Sequence, residues 1–323
     1  SFSVSGNDIY AGTRFDNPST GGVWLSTNNA QNWTQTSLKN RDINSITVTG
    51  NAVLAGSLDY NNSGVWRSTD KGQIWTQSLN VAVYSFAISG SNIYAASYFG
   101  VYLSTNDGQN WTNIGPNSTT NSLAVSGSNI FAATVGGVYL SSNNGQSWNR
   151  IGLNNETVSS LAVSDSNLFA GSIGVYKSTN NGQSWIQTAL KDKEIYSLAV
   201  SGNTLFAGTS TAGVYASTDN GQSWPRRGLS SHTVYSLTAS GGYVYAGTGG
   251  AGVWFTVNNG VSWNLTSMTT NGVHSLAVSG DNIFAGTSLN GIFLSTNHGQ
   301  NWMLKGLTDK MIYAIAISGN KVY

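Results

Sequence analysis

Hydrophobic and polar residues alternate along this chain over short runs that are separated by glycine and asparagine. In the segment 121–153, Ser122 and Ala124 alternate with Leu123 and Val125. A period of two places small side chains on one face of a β-strand and larger ones on the other. Glycine and asparagine break the pattern three times, in combinations that suit tight turns. The segment therefore predicts four antiparallel strands, A to D, at 122–126, 130–133, 138–141 and 146–151.

The pattern recurs along the whole chain, and its most regular part is a twelve-residue stretch that ends in tryptophan. Residues 137–148 read GVYLSSNNGQSW, and seven other stretches are similar to it. We call the last eight residues the box; its pattern is Ser/Thr-x-Asn/Asp-x-Gly-x-x-Trp, with Ala in place of Gly in the first copy. The closing tryptophans are 42, 36, 37, 37, 39, 39 and 39 residues apart. Such a period indicates a repeated structural unit rather than a catalytic motif.

The repeat predicts an all-β fold, because no segment has a helical period. A single four-stranded unit cannot bury both of its apolar faces, so the units must stack, either radially in a β-propeller or linearly in a solenoid. Four strands per unit and a period near the roughly 40 to 45 residues of known propeller repeats favour the propeller. The prediction is one eight-bladed propeller domain over 1–323, with a start and an end that both match strands A and B. The pair at 312–323 opens a ninth repeat, and which terminal pair completes the ring stays open at this stage.

The box resembles the Asp-box, or BNR repeat, of the superfamily that includes sialidases, sortilin-type receptors and photosystem II assembly factors. The resemblance extends over essentially the whole chain and implies one box in each blade of a propeller. The residue types suit a hairpin clamp: Ser and Asn or Asp can bond the backbone of the turn, Gly accepts a positive φ, and Trp can pack back into its own blade. Asp occupies the third box position only twice, and Asn can make the same bonds. The predicted structural residues are Asn28, Trp33, Asp70, Trp75, Asn106, Trp111, Asn143, Trp148, Asn180, Trp185, Asp219, Trp224, Asn258, Trp263, Asn297 and Trp302.

Composition narrows the choice of partners. Charged residues make up 8% of the chain and its net charge is +1, so no long-range field attracts nucleic acid or an anionic membrane. The absence of cysteine excludes disulfides and thiolate metal sites. No apolar run reaches the roughly 18 residues of a membrane span, and the segment opens without a basic and apolar leader. Together with the Asn, Ser, Thr and Gly bias, these features predict an extracellular or cell-surface protein that does not insert into a membrane.

The residues offer little for catalysis. A sialidase needs an arginine cluster, a Tyr/Glu nucleophile pair and an acid, whereas this chain has six arginines and two glutamates and no arginine in the short early motif of true sialidases. The three histidines are scattered, so neither a metal nor a cofactor is predicted. One enzymatic alternative is a two-carboxylate glycoside hydrolase, in which Asp16, Asp42 and Asp59 approach one another. In the simpler interpretation these carboxylates are surface acids that pair with nearby basic side chains.

Variation between repeats concentrates in the B–C loops and in the D–A loops that lead to the next blade. We call the end of the blades that carries both sets the loop face; loops that vary on a constant scaffold usually carry binding. The leading hypothesis is a non-catalytic propeller that recognises protein or glycan there. The alternatives are a glycoside hydrolase, a multivalent lectin, or a structural component of a surface or filament. Residues that depart from the repeat are predicted to make the contacts: Arg14, Phe15, Asp16, Arg41, Tyr60, Tyr98, Phe99, Arg226, Arg227 and His232.

Overall fold

The computed structural model confirms an all-β fold of eight four-stranded antiparallel blades, which is an eight-bladed β-propeller. In each blade the strands follow one another in chain order, from A to D. The structure describes residues 2–5, 8–13, 21–28, 32–59, 62–126, 128–164, 167–269, 272–279, 281–308 and 310–312. The chain divides into two compact units, one formed by 1–113 with 274–323 and the other by 114–273.

The first unit contains blades 1, 2 and 8 and nearly all of blade 3. Its strands are β1 Phe2–Ser5, β2 Asp8–Thr13, β3 Gly22–Ser26 and β4 Thr34–Lys39 in blade 1; β5 Ile43–Thr49, β6 Ala52–Ser57, β7 Gly64–Ser68 and β8 Thr76–Leu79 in blade 2; β9 Val83–Ser89, β10 Asn92–Ser97, β11 Gly100–Ser104 and β12 Thr112–Gly115 in blade 3; and β29 Val273–Ser279, β30 Asn282–Thr287, β31 Ile292–Ser295 and β32 Met303–Leu304 in blade 8.

The second unit contains blades 4 to 7. Its strands are β13 Thr120–Ser126, β14 Asn129–Thr134, β15 Gly137–Ser141 and β16 Asn149–Gly152 in blade 4; β17 Ser160–Ser164, β18 Asn167–Ser172, β19 Gly174–Ser178 and β20 Ile186–Gln187 in blade 5; β21 Ile195–Ser201, β22 Thr204–Thr209, β23 Val214–Ser217 and β24 Arg226–Gly228 in blade 6; and β25 Val234–Ser240, β26 Tyr243–Thr248, β27 Val253–Thr256 and β28 Asn264–Leu265 in blade 7.

Blade 4 shows how closely the alternation predicts the strands. Strands A, B and C lie within one or two residues of their predicted bounds, but strand D starts at Asn149 instead of at residue 146. The difference arises because the box turn extends further than a two-residue hairpin. Asn144 and Gly145 both have positive φ, of 56° and 87°, and Gln146 N–H donates to the carbonyl of Asn143 at 3.2 Å. The chain therefore reaches strand D only after Trp148.

The box is a hydrogen-bonded clamp on this turn. In blade 4 the Ser141 hydroxyl donates to Asn143 Oδ1 at 2.9 Å and accepts from Gly145 N–H at 2.8 Å, while Asn143 Oδ1 also accepts from Ser147 N–H at 3.0 Å. Aspartate makes the same contacts in blade 6, where Asp219 Oδ1 accepts from Ser217 and Ser223. Substitution of Asn for Asp thus leaves the turn intact, as the residue types predict.

The hydrophobic core lies between successive blades. In the second unit, Phe206 and Leu229 of blade 6 pack with Val234, Val244 and Ala246 of blade 7. Strand B is the most deeply buried strand, and its repeated aromatic residue is almost fully inaccessible, as in Tyr94, Phe169 and Tyr245. Within each unit, a blade thereby covers the apolar face of its neighbour, which a four-stranded sheet cannot cover by itself.

Seven of the box tryptophans, all except Trp302, contact the preceding blade, so the prediction that each packs into its own blade is wrong. The Trp75 indole N–H donates to Thr36 Oγ1 of blade 1 at 3.2 Å, and that of Trp111 donates to Ser78 Oγ of blade 2 at 3.1 Å. All eight are half-buried except Trp224, which is buried. The clamped turn points its last residue towards strand D of the preceding blade, and this geometry takes the indole out of its own sheet.

Blades 1 and 8 are neighbours within the first unit. Ile9 and Ala11 of blade 1 form one cluster with Phe284 and Ile292 of blade 8, and Trp33 packs against it. All four strands of blade 1 come from the start of the chain, so the amino-terminal A–B pair completes this blade. The predicted pair at 312–323 lies outside the described residues, except for Ile312.

Candidate functional site

Of the six predicted contact residues that the structure describes, four lie in B–C or D–A loops and two lie on a strand D. Four of the predicted residues, Arg14, Phe15, Asp16 and Tyr60, lie outside the described part of the chain. The described ones fall into separate groups: Arg41 beside blade 2, Tyr98 with Phe99 on blade 3, and Arg227 with His232 at the seam of blades 6 and 7, where Arg226 precedes Arg227 on strand D.

Arg41 and Asp59 form a partly buried charged pair beside blade 2. Arg41 Nε lies 3.8 Å from Asp59 Oδ2, and the guanidinium carbon lies 4.9 Å from the ring centroid of Trp66. Asp59 Oδ1 accepts a hydrogen bond from Asp42 N–H at 2.8 Å. Burial raises the pKa of the Asp59 carboxyl, although the Asp42 N–H and the Arg41 charge act in the opposite direction. The structure therefore brings Asp42 and Asp59 together, and it also supplies the basic partner that the simpler interpretation expects.

Tyr98 and Phe99 form the whole two-residue turn between strands B and C of blade 3. Their rings meet edge to face with centroids 5.0 Å apart, and they are 54% and 58% exposed. Gly, Asn and Asp are the usual residues of such turns, because they accept turn geometry at low cost. Two aromatic side chains at this position are therefore not explained by the needs of the hairpin.

A second aromatic feature, which the sequence did not reveal, lies at the start of strand A. In blades 2, 3, 4, 6 and 7 the second residue of this strand is bulged, since the register to strand B shifts around it. A bulge leaves that residue unpaired in the ladder and re-aims its side chain. In blades 6 and 7 the bulged residues are Tyr196 and Tyr235, whose rings stack with centroids 5.8 Å apart and planes 7° from parallel. The signal available in the sequence is the recurrence of Tyr at this position, in Tyr84, Tyr196 and Tyr235.

The bulged residues differ in chemistry between blades. Asn44 donates its side-chain amide to the Tyr84 carbonyl at 2.7 Å, and Asn121 donates to the Val158 carbonyl at 3.0 Å. Burial, and then the charge of Glu194, raise the pKa of the Tyr196 hydroxyl. The bulged residues thus form amide links from Asn44 and Asn121 and an aromatic stack between blades 6 and 7. These contacts join neighbouring blades.

Two predicted residues, Arg227 and His232, come together in a cleft of about 400 Å³ between blades 6 and 7. Arg227 lies on strand D of blade 6, and His232 lies on the following D–A loop. The His232 ring is tilted against Trp254 of blade 7, with centroids 6.2 Å apart. The cleft continues past Trp263 to the box turn of that blade, so it extends beyond the loop face. Arg226, the adjacent residue on the strand, is exposed.

The described residues contain no group of three or more His, Cys, Asp or Glu side chains that could hold a metal ion. The His274 ring is half-buried and contacts the Ser288 hydroxyl at 3.0 Å, and burial lowers its pKa. Within the same described ranges, no helix has the length and apolar character that a bilayer span requires.

Comparison with known proteins relates the chain to other propellers through structure alone. No protein-family model matches the sequence, and no curated protein matches it. BamB from Moraxella catarrhalis aligns with a TM-score of 0.65 at 13% identity, over 91% of this chain and 95% of BamB. YCF48 bound to a D1 peptide aligns with a TM-score of 0.56 at 15% identity, over 79% of this chain and 91% of YCF48. The extracellular domain of BT4673 from B. thetaiotaomicron aligns with a TM-score of 0.59 at 19% identity, over 72% of this chain but only 35% of that one. At these identities the similarity shows a common fold.

Proposed function

We propose that this protein is a non-catalytic binding propeller that recognises a segment of another protein through its loop face. The observation that carries the proposal is the exposed Tyr98–Phe99 turn, because a hairpin does not need two aromatic side chains. Exposed tyrosine and phenylalanine supply large, rigid contact area and are enriched in protein interfaces. The structure of YCF48 bound to a D1 peptide has a similar fold, which supports the same class of ligand here.

We also propose that the protein is extracellular and that its box belongs to the Asp-box type. Low charge and the Asn, Ser, Thr and Gly bias support an exported protein, and the BT4673 propeller is described as an extracellular domain. The support for the Asp-box assignment is the clamp itself, in which a serine or threonine hydroxyl and an Asn or Asp oxygen bond the turn in each blade.

A selection experiment tests the binding proposal. Peptides selected from a phage-displayed dodecapeptide library on the immobilised protein are titrated against the wild type, the Tyr98→Ala/Phe99→Ala double variant and Ile74→Ala. Ile74 is the matched control because it is 67% exposed but lies in a box turn, at the opposite end of its blade. We expect the double variant to weaken binding at least about tenfold, since aromatic hot spots contribute 2 kcal/mol or more, and Ile74→Ala to leave it unchanged. Equal binding by all three proteins rules out this turn as the site.

A glycoside hydrolase is the second candidate, and Asp59 is the observation that favours it. Its carboxyl is largely buried, has a raised pKa and lies beside Asp42, which is the environment of a general acid. Release of reducing sugar from plant or bacterial glucans, abolished by Asp59→Asn, supports this function. A glycan array distinguishes a lectin, which binds sugars without releasing them.

A further inference from the structure

The seam between blades 6 and 7 carries an arginine at a repeated position that is Ser or Thr in four blades, Ile in two and Lys in one. This position is the third residue after the box tryptophan, and it faces the box tryptophan of the next blade. Thr36 and Ser78 occupy it in blades 1 and 2, and each hydroxyl accepts a hydrogen bond from the next indole, at 3.2 and 3.1 Å. Threonine also stands there in blades 5 and 7, as Thr188 and Thr266. The position therefore supplies a hydroxyl acceptor to a tryptophan N–H in blades 1 and 2.

Arginine takes this position in blade 6, and it reverses the chemistry of the seam. The Arg227 side chain packs under the box turn of blade 7, where its Cβ lies 3.0 Å from the place that a Cβ on Gly260 would occupy. A guanidinium has five N–H donors and no acceptor, and an indole nitrogen can only donate. Arg227 and Trp263 consequently cannot satisfy each other, whereas Thr36 and Trp75 can.

Three nitrogen atoms in this cleft are left without a hydrogen-bond partner among the described residues. They are Arg227 Nε, Trp263 Nε1 and His232 Nδ1, and each is buried. Buried groups of this kind usually have partners, and an unsatisfied donor is destabilising. The indole nitrogens of Trp148, Trp224 and Trp302 lack a partner in the described part of the chain as well, so this cleft is distinguished by the Arg227 and His232 nitrogens that lie beside its indole.

The cleft also carries positive charge that no acid neutralises. None of the described residues that line it is Asp or Glu. The ion pairs found among the described residues involve Arg41, Lys71 and His298, but neither Arg226 nor Arg227. Arg41, by contrast, has an acidic partner, since its Nε lies 3.8 Å from Asp59 Oδ2. What the cleft lacks is an anionic acceptor.

We propose that this cleft binds a carboxylate side chain of an acidic peptide segment. A carboxylate only accepts hydrogen bonds, and its two oxygens match the planar fork of arginine. The Arg227 side chain is half-buried and lines the cleft, the Trp263 indole supplies a further donor, and His232 Nδ1 supplies another in the tautomer that carries its proton there. Trp254 and Val261 offer apolar surface to the residues that flank the acid. The inference rests on the proposed function in that the ligand is a peptide, but the site is separate from the Tyr98–Phe99 turn.

The indole N–H signal of Trp263 in a ¹⁵N-resolved NMR spectrum reports directly on this site. The probes are a capped hexapeptide with one central glutamate, its glutamine counterpart, and inorganic phosphate. We expect the glutamate peptide to shift the Trp263 signal in a saturable way and the glutamine peptide to leave it in place. Arg227→Thr installs the residue of three other blades and should weaken binding about tenfold or more, the loss of at least one charge-assisted bond. Arg226→Thr removes the same charge from the adjacent exposed position and should change the affinity little.

Three results would overturn the proposal: equal shifts by the glutamate and glutamine peptides, full binding by Arg227→Thr, or a response to phosphate alone. If Arg227→Thr does not fold, Arg227→Gln keeps a polar side chain of similar length without the charge and tests the same point. Failure of the proposed function appears elsewhere, as equal binding of selected peptides by the wild type and the Tyr98→Ala/Phe99→Ala variant. Each proposal can therefore fail while the other stands.

Discussion

At the scale of single residues, the box shows why asparagine and aspartate alternate at one position. Both provide an oxygen that accepts from the serine hydroxyl two residues before it and from the backbone N–H four residues after it, as Asn180 and Asp219 show. Only aspartate titrates. Hydrogen bonds from the Ser223 hydroxyl, the Ser223 N–H and the Ser217 hydroxyl lower the pKa of Asp219 to about 2.

This difference predicts an acid-dependent contribution to stability that Asp219→Asn removes. A carboxyl whose pKa is lower in the folded state stabilises the fold fully above its unfolded pKa, which is about 3.9, and the contribution is lost as the pH falls through about 2. Urea unfolding at pH 5 and pH 2 should show a smaller loss of stability for Asp219→Asn than for the wild type. Asn143→Asp is the reciprocal control, because Ser141 and Ser147 surround it in the same way, and it should become more sensitive to acid. Identical pH dependence in all three proteins contradicts the prediction.

The contacts of individual side chains at the candidate site were the hardest feature to predict from the sequence. Arg227 and His232 were identified because they depart from the repeat, and the structure brings them into one cleft. Their relation to Trp263 could not be predicted, since the tryptophan was assigned to the core of its own blade. The Tyr196–Tyr235 stack was missed for a different reason: a bulge re-aims a side chain without changing the alternation that sequence analysis reads.

At the scale of elements, strands A to C were predictable because their alternation, glycine breaks and turn residues agree with one another. Strand D was not, since the turn of the box depends on side-chain hydrogen bonds that a period of two does not encode. In blades 5, 7 and 8 it shortens to two paired residues, for example Ile186–Gln187. Beside the short strand D of blade 5, the box tryptophan of the next blade, Trp224, packs against Val175 and Leu190.

The indole hydrogen bonds across the seams between blades should make a measurable contribution to the free energy of unfolding. Trp75 donates to Thr36 in the preceding blade, whereas Trp148 Nε1 has no partner among the described residues. Replacement of either by phenylalanine keeps an aromatic ring in the seam, but only Trp75→Phe breaks a bond between blades. We expect Trp75→Phe to lower the free energy of unfolding by about 1 kcal/mol more than Trp148→Phe, the usual net value of one hydrogen bond.

Equilibrium denaturation in urea measures both variants, with the wild type as reference. Trp148→Ala gives a reference value for the loss of the whole side chain. Replacement of a buried aromatic residue by alanine lowers the free energy of unfolding by ~3–5 kcal/mol, and we expect Trp148→Ala to lie at or below the lower end of this range because Trp148 is only half-buried. A larger loss for Trp148→Phe than for Trp75→Phe would show that ring packing, and not the hydrogen bond, dominates the seam.

At the scale of the whole molecule, the repeat count and the number of blades agree, and the reason is physical. Each unit of about 39 residues folds into one sheet whose strands are neighbours in the chain, so counting boxes counts blades. Variation among the loops could not reveal a ligand, because idle loops vary as freely as binding ones.

The seam between blades 1 and 8 has a mechanical consequence. Every strand of blade 1 comes from residues 2–39 and every strand of blade 8 from residues 273–304, so side chains such as Ile9, Phe284 and Trp33 hold these two sheets together. When the two ends of the chain are pulled apart, we expect this side-chain contact between blades 1 and 8 to break before the backbone hydrogen bonds within any blade. Blades should then be peeled off singly, each lengthening the tether by about 130 Å, since an extended residue spans at most ~3.6 Å. Optical-trap extension records should show steps of this size, because each blade then unfolds independently. A single rupture event would show instead that the blades unfold together.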